Sequence, residues 1–279
     1  MNLKSFFLDE RKALSEDLRK DFEHLILEKL NVNRLDLQSQ TKTIDETQLK
    51  IINQDLIELK KGKPLAYILK SQFFLGYDFY VDHRVLIPRS ETEFMMDYCL
   101  KHTDDNFKIV FDAGAGSGCL GISYLLKRKN SKCVFMENSK EAIEVIKINL
   151  EKFNIPKDRY IIAENFKDFE SNPFYKDHSK IDLFVSNPPY ISEDDLEVQS
   201  SVLNFEPHSA LFCKDQGLDY LKKWSLQAIK YLNPKIGFGI FEFGQNQEII
   251  LQTFGNQHKM NSSILLDQYE RPRFWKINA

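Results

Sequence analysis

The chain has 279 residues, 42% hydrophobic and 28% charged, with a net charge of −3. That length exceeds one average domain, so a large unit with a smaller appendage is the first expectation, and the slight negative balance argues against a body built to neutralise a phosphate backbone, so no direct nucleic-acid partner is expected. Cys99, Cys119, Cys133 and Cys213 are far apart with no Cys-x-x-Cys pair, which argues against a zinc or redox motif and for reduced thiols in a cytoplasmic protein.

Taken in chain order, Met1 to Lys12 carries charges where a secretory signal would be apolar, and no later run reaches the roughly 18 apolar residues that span a bilayer. Residues 1–70 read as helical: Phe6, Phe7, Leu14, Leu18, Phe22, Leu25, Ile26 and Leu30 recur at helical spacing. A second helix is predicted from about Asp45 through Ile51, Ile52, Leu56 and Leu59. Lys60-Lys61-Gly62-Lys63-Pro64 is its stop signal, cations in the last turn followed by glycine and proline. This unit is too small to bury much surface and reads as a helical docking or packing domain. Residues 71–90 hold Phe73, Phe74, Leu75, Tyr77, Phe79, Tyr80, Val81, Val85, Leu86 and Ile87, interrupted by Gly76 and Asp82-His83, the pattern of a linking β-hairpin.

From residue 91 to 279 strand alternates with helix. Apolar runs at Ile109–Phe111, Cys133–Met136, Tyr160–Ala163 and Asp182–Val185 alternate with helical patterns at about 118–128 and 139–153, which predicts a parallel sheet covered by helices. A helix near 217–232 leads through Pro234 and Gly237 to a strand at Phe238–Phe243. Ser263–Leu266 and Arg273–Ile277 read as a closing hairpin.

Asp112-Ala-Gly114-Ala-Gly116-Ser-Gly118-Cys119 follows a strand and opens a helix, so its glycines sit where the backbone turns sharply and meets a ligand closely. Dinucleotide enzymes use a similar loop, and a structural tight turn would look the same. Two carboxylates point to a cofactor without phosphates. Asp112 would repel a pyrophosphate but suits a cationic amino-acid portion, as in S-adenosylmethionine. Glu137, at the next strand end about 20 residues further on, is placed to accept from both ribose hydroxyls, or is a solvated strand-end carboxylate.

Ser186-Asn187-Pro188-Pro189-Tyr190-Ile191 follows another apolar run at the C-terminal edge of the sheet, where open α/β folds bind ligands. Consecutive prolines fix the backbone and donate no N–H, so this stretch presents acceptors. The Asn187 side-chain oxygen and the Pro188 carbonyl can take the two hydrogens of one amide or amine NH₂, and Tyr190 can pack on its planar face. An amide nitrogen shares its lone pair with its carbonyl and needs acceptors that stabilise the positive charge developing on NH₂ as a bond to carbon forms.

At these residues the chain resembles the class I S-adenosylmethionine methyltransferases that modify glutamine, and within them the HemK family acting on peptide chain release factors. The resemblance runs through Pro64-Leu-Ala-Tyr-Ile68, Val85-Leu-Ile-Pro-Arg-Ser-Glu-Thr-Glu93, Asp112–Gly118, Ser186–Ile191, Phe205-Glu-Pro-His-Ser-Ala-Leu211 and Gly217-Leu-Asp219. It implies an α/β, Rossmann-like seven-stranded mixed sheet with an antiparallel last strand, behind a small all-helical N-terminal domain that helps dock the substrate. It further implies a monomer that uses S-adenosylmethionine and has class I release factors as its protein partner, methylated on the glutamine amide of their Gly-Gly-Gln loop. By that resemblance Asp112, Gly114, Gly116, Glu137, Asn165 and Asn187 line the cofactor, while Asn187, Pro188, Pro189 and Tyr190 hold the acceptor.

Ser90 stands where the family usually has proline, Asn165 where many relatives carry an acid near the adenine, and Cys213-Lys214 where a glycine-rich pair is usual. Phe79-Tyr-Val-Asp82 also resembles the sister enzymes that methylate glutamine in a ribosomal protein, and nucleic-acid amino-methyltransferases share the acceptor geometry. Glu91 and Glu93 open a helix, either as dipole-favoured capping acids or as part of the cofactor entrance. His208 reads as a hydrogen-bonded structural residue.

Overall fold

In the computed structural model, which describes residues 1–174, 180–195 and 200–279, the chain separates into two units. Met1–Ser71 with Ser200–Phe205 forms one, and Gln72–Gln199 with Glu206–Ala279 the other. The first is helical: α1 (Leu3–Lys12), α2 (Glu16–Leu30), α3 (Arg34–Gln38), α4 (Glu46–Lys60) and α5 (Leu65–Leu69), with the short helix Ser200–Phe205. The periodic run from Phe6 to Leu30 is two helices, because the chain turns extended at Ser15 and α2 restarts with Glu16 and Asp17 on its positive end. Phe22, Leu25, Ile26 and Ile52 are sealed in its core, with Phe7 stacked on Phe22 at 5.7 Å. Asp45 caps α4 reciprocally: its carboxylate accepts from Gln48 N at 2.8 Å, and the Gln48 side chain accepts from Asp45 N at 3.1 Å. Asp45→Ala is expected to cost about 1 kcal/mol, read as a lowered urea midpoint. An unchanged midpoint would mean that the cap adds nothing to α4.

The second unit begins with a hairpin, β1 (Gln72–Phe74) and β2 (Tyr77–Phe79). It is shorter than predicted, since Val81–Ile87 leave the ladder. The Tyr80 backbone pairs instead with Asn149, whose side chain accepts from Tyr80 N at 2.8 Å and donates to Tyr80 O at 3.0 Å. Asp82 then folds a turn by accepting from both the backbone and the guanidinium of Arg84, at 2.7 to 3.1 Å. Glu93 closes the hairpin tip from behind, accepting from Leu75 N at 3.0 Å.

The main sheet contains β3 (Ile109–Ala113), β4 (Lys132–Met136), β5 (Tyr160–Ala163), β6 (Leu183–Ser186), β9 (Phe238–Glu242), β10 (Asn261–Leu266) and β11 (Pro272–Asn278), in the order β10-β11-β9-β6-β3-β4-β5. A separate parallel pair joins β7 (Ile191–Ser192) to β8 (Phe212–Cys213). The inner strands are parallel, and β11 is antiparallel to both β9 and β10. Helices α6 (Ser90–Lys101), α7 (Cys119–Lys127), α8 (Lys140–Lys152), α9 (Phe166–Ser171), α10 (Asp219–Tyr231) and α11 (Glu248–Gln257) cover the faces. Burial on both faces explains why these strands read as continuous apolar runs. On β3, Val110 joins the core beneath α6 and α7, while Ile109, Phe111 and Ala113 join the core on the opposite face.

Strand order reverses at β3, the position where doubly wound sheets open a ligand crevice. Ala113 and Ser186 are register partners. The glycine loop and Asn187 therefore leave the sheet from neighbouring strand ends.

Candidate active site

The loop after β3 is pinned from below. Gly114 N and Ala115 N both donate to Met136 O, at 2.8 and 3.1 Å, and Gly116 N donates to a Glu137 carboxylate oxygen at 2.9 Å. Glu137 also accepts from Ser139 N at 2.9 Å, so its side chain is held between the loop and the start of α8. Gly116 has φ +55, and a Cβ built there meets nothing within 4 Å. The backbone there borders open space.

That space is a cavity of about 240 Å³. Against the roughly 30 Å³ of a liquid water, it has room for a small molecule. Of the residues expected at the site, Gly114, Gly116, Glu137, Asn165, Asn187 and Pro189 line it together. Asp112, Pro188 and Tyr190 do not.

Asp112 differs from expectation because of strand parity. It shares the Val110 face of β3, is fully buried, and accepts from Gly121 N at 2.9 Å under the first turn of α7. Its other oxygen has no hydrogen-bond partner among the described residues. Burial pushes this carboxyl from 3.8 to about 8, the Gly121 N–H opposing and the Glu137 charge assisting. The unfolded chain ionises near the lower value and the folded one near the higher, so the contribution of Asp112 to folding stability is fully present below about pH 4 and is lost as pH rises from there through about 8. Asp112→Asn cannot ionise and is expected to remove that decline. Urea midpoints at about pH 5 and about pH 9 should then differ less than in the wild type. Equal differences would show that Asp112 does not titrate in this window.

Asn165 is exposed and caps α9, its oxygen accepting from Asp168 N at 3.0 Å and its NH₂ donating to the Asp168 carboxylate at 2.8 Å. Sequence reasoning gave no site role to Thr92, Glu164, Tyr220 and Trp224, which also line the cavity. Glu164 follows a strand as Glu137 does. Tyr220 and Trp224, with rings 4.9 Å apart, form an aromatic pair four residues apart on α10. Trp224 packs so closely over Gly114 that a Cβ there would come within 2.9 Å of the indole. The opposite rim is tied down by Glu206, which accepts from Ile87 N at 3.1 Å and from the Arg89 guanidinium at 2.6 Å. His208 stands edge-on to Phe212.

The acceptor motif is held from behind by a carboxylate the sequence did not single out. Asn187 Nδ2 donates to Thr92 Oγ1 at 2.9 Å, Thr92 donates to Glu242 Oε2 at 2.6 Å, and the Tyr190 hydroxyl donates to Glu242 Oε1 at 3.1 Å. Glu242 is 1% exposed, and burial pushes its carboxyl up to about 7, with Thr92 and Arg273 pulling the other way. Burial, with this charge beside it, also pushes the Tyr190 phenol up. The Tyr190 ring packs into the core, so it braces the motif and does not cover a guest in the cavity. The Gln247 side chain clamps the same residue, donating to Tyr190 O at 2.9 Å and Gln216 O at 3.0 Å while accepting from Gly244 N at 2.8 Å.

No helix among the described residues is long and apolar enough to cross a membrane. Residues 97–232 match the family model described as conserved hypothetical protein 95. The hMettl16 catalytic domain, solved in complex with MAT2A 3'UTR hairpin 6, superposes with a TM-score of 0.53 at 12% identity, covering 84% of this chain and 82% of that one. That likeness shows the class I methyltransferase fold. The bifunctional methyltransferase of Rickettsia felis is 30% identical over 277 residues, which take in 89% of this chain but 49% of that protein, so the chain spans about half of its length. The release factor glutamine methyltransferase of Mycoplasma mycoides subsp. mycoides SC is 34% identical over 207 residues, 74% of this chain and 72% of that protein. With that identity along most of both chains, and with the glycine loop and Asn187 meeting at one cavity, this chain is a methyltransferase that belongs to the release factor glutamine methyltransferase family.

Proposed function

We propose that this chain methylates the side-chain amide nitrogen of the glutamine in the Gly-Gly-Gln loop of class I peptide chain release factors, with S-adenosylmethionine as donor. The observation that carries this reading is the state of Asn187. Its NH₂ is committed to Thr92, which leaves its oxygen, at the cavity wall beside the glycine loop, to accept from a guest's NH₂.

The residues present fit the cofactor. Gly116 offers a cradle with no side chain in the way, the two Glu137 oxygens are acceptors at the next strand end, and Trp224 and Tyr220 give flat apolar walls. Asp112 stands buried behind the loop, under the first turn of α7, an indirect role in place of direct contact. When bound, S-adenosylmethionine supplies an electrophilic methyl carbon. Every other requirement falls on the chain. The Asn187 oxygen is assigned to grip one amide hydrogen, which orients the nitrogen and stabilises the positive charge that grows on NH₂ as it bonds to carbon; Pro188 is buried off the cavity wall and is assigned no contact with the guest. No strong base is needed before transfer, because the nitrogen sheds a proton, taken up by solvent water, only after that charge has made it acidic. Pro189 walls the acceptor side, and the helical first unit is assigned to docking the protein substrate.

The test is competitive. The enzyme is mixed with labelled cofactor, a purified class I release factor and ribosomal proteins, and the label is located by mass spectrometry. Label on the Gly-Gly-Gln glutamine is the expected result. Label on a ribosomal protein alone would reassign the substrate, and absence of label on any protein would end the reading.

A further inference from the structure

We infer that Thr92 and Glu242 are positioning residues for methyl transfer: they select the one orientation of the Asn187 amide that turns its oxygen toward the acceptor nitrogen, an assignment that rests on the reading of this site as an amide methyltransferase. The two ends of an asparagine amide are nearly equal in size, so shape alone does not choose between them. Chemically they are opposites. With the oxygen outward Asn187 accepts from the acceptor NH₂ and stabilises its developing charge; with the NH₂ outward it sets donor against donor.

A threonine hydroxyl cannot make that choice unaided, because it both donates and accepts. Glu242 removes the freedom. An ionised carboxylate only accepts, so the Thr92 proton is drawn to Glu242 Oε2 at 2.6 Å, and only lone pairs remain to face Asn187. Asn187 must then present Nδ2, as it does at 2.9 Å. The second Glu242 oxygen takes the Tyr190 proton, so both ends of the Asn187–Tyr190 segment answer to one carboxylate. The carboxylate is buried at a cost in solvation.

The groups facing Glu242 are Thr92 and Glu91 from α6, Tyr190 from the loop after β6, and Arg273 from β11. Arg273 and the two hydroxyls favour the ionised form; burial and Glu91 oppose it, and the balance lies at about 7. Protonation gives Glu242 a donor of its own, frees the Thr92 hydroxyl to turn, and releases Asn187 to flip. Turnover should therefore fall as pH drops through that value.

The test uses the full-length enzyme in three variants. Thr92→Val, which keeps the shape and loses the hydroxyl, is expected to lower kcat about 10- to 100-fold, the effect of losing an outer orienting partner, with the KM for cofactor little changed. Thr92→Ser restores the hydroxyl and should recover most of the loss. Glu242→Gln is expected to abolish the acid-side fall of the kcat–pH profile and so covers the case in which Thr92→Val does not fold. A reading independent of the acceptor comes from ¹⁵N-asparagine labelling, with the Asn187 NH₂ signal assigned by its disappearance in Asn187→Ala. Slow exchange of that amide with solvent in the wild type and Thr92→Ser, lost in Thr92→Val, supports the assignment even if the methylated protein proves to be a different one. Wild-type kcat in folded Thr92→Val, an unchanged Asn187 signal there, or a pH profile that Glu242→Gln leaves in place would each overturn it.

Discussion

Asn187→Ala is expected to lower kcat by about two to three orders of magnitude at saturating cofactor and acceptor, while cofactor affinity changes only a few-fold. The asparagine oxygen is fixed before the acceptor arrives: its carbon skeleton hangs from the end of β6, and its NH₂ is held by Thr92. An oxygen placed beforehand needs no reorganisation when charge appears on the acceptor nitrogen, and alanine leaves water to do the same work in a looser geometry. The cofactor, in contrast, is assigned to the glycine loop and Glu137, whose backbone and carboxylate contacts do not pass through Asn187. Single-turnover transfer of labelled methyl gives the first quantity and titration calorimetry the second. Wild-type turnover in the variant would remove Asn187 from the chemistry.

Gly217→Ala is expected to have the largest effect on stability of any single methyl group added near the site. Gly217 has φ +81, and a Cβ there would lie 2.0 Å from Tyr190 O and 2.7 Å from Gln247 Nε2. The left-handed backbone costs an alanine roughly 1–2 kcal/mol, and crowding of this kind adds about 1–3 kcal/mol. The obstacle is backbone, so relief requires moving the Tyr190 carbonyl off the Gln247 clamp. A Tm lower by several degrees should accompany a loss of turnover. Gly76→Ala is the control: φ is again +81, but nothing lies within 4 Å of its Cβ, so it carries the backbone strain alone. Equal melting temperatures for the two variants would show that the site yields without resistance.

How much of this was legible beforehand depends on whether a feature is local. The strands β4 and β5 carry uninterrupted apolar runs and were predicted within a residue of where they lie. The hairpin was overdrawn because Val81, Val85 and Ile87 are apolar for burial, while the Asp82–Arg84 turn that breaks the ladder is a side-chain event. Helix α11 went unseen because it buries only Leu251 and Gly255, and leaves Ile249 and Ile250 exposed, which blurs its period. At the site, the loop and Asn187 were readable because each follows a strand. The inward turn of Asp112 was within reach of a parity count along β3. The Thr92–Glu242 bond was not, since it spans 150 positions and the Glu-Thr-Glu motif that contains Thr92 does not point to Glu242.

The last strand has a consequence for how the molecule comes to exist. β11 leaves the ribosome after both of the strands it separates, so β9 and β10 cannot be joined until the chain has been made through Asn278. Such late, non-local pairing is slow and leaves strand edges bare in the interval. The same insertion brings Arg273 beside Phe243, where Phe243 N donates to Arg273 O and the Arg273 guanidinium donates to Phe243 O, at the end of β9 next to Glu242. A nascent chain halted before that step can hold its glycine turn and its asparagine and still lack the cation that favours the charged form of the carboxylate behind them, so competence waits on the insertion of β11.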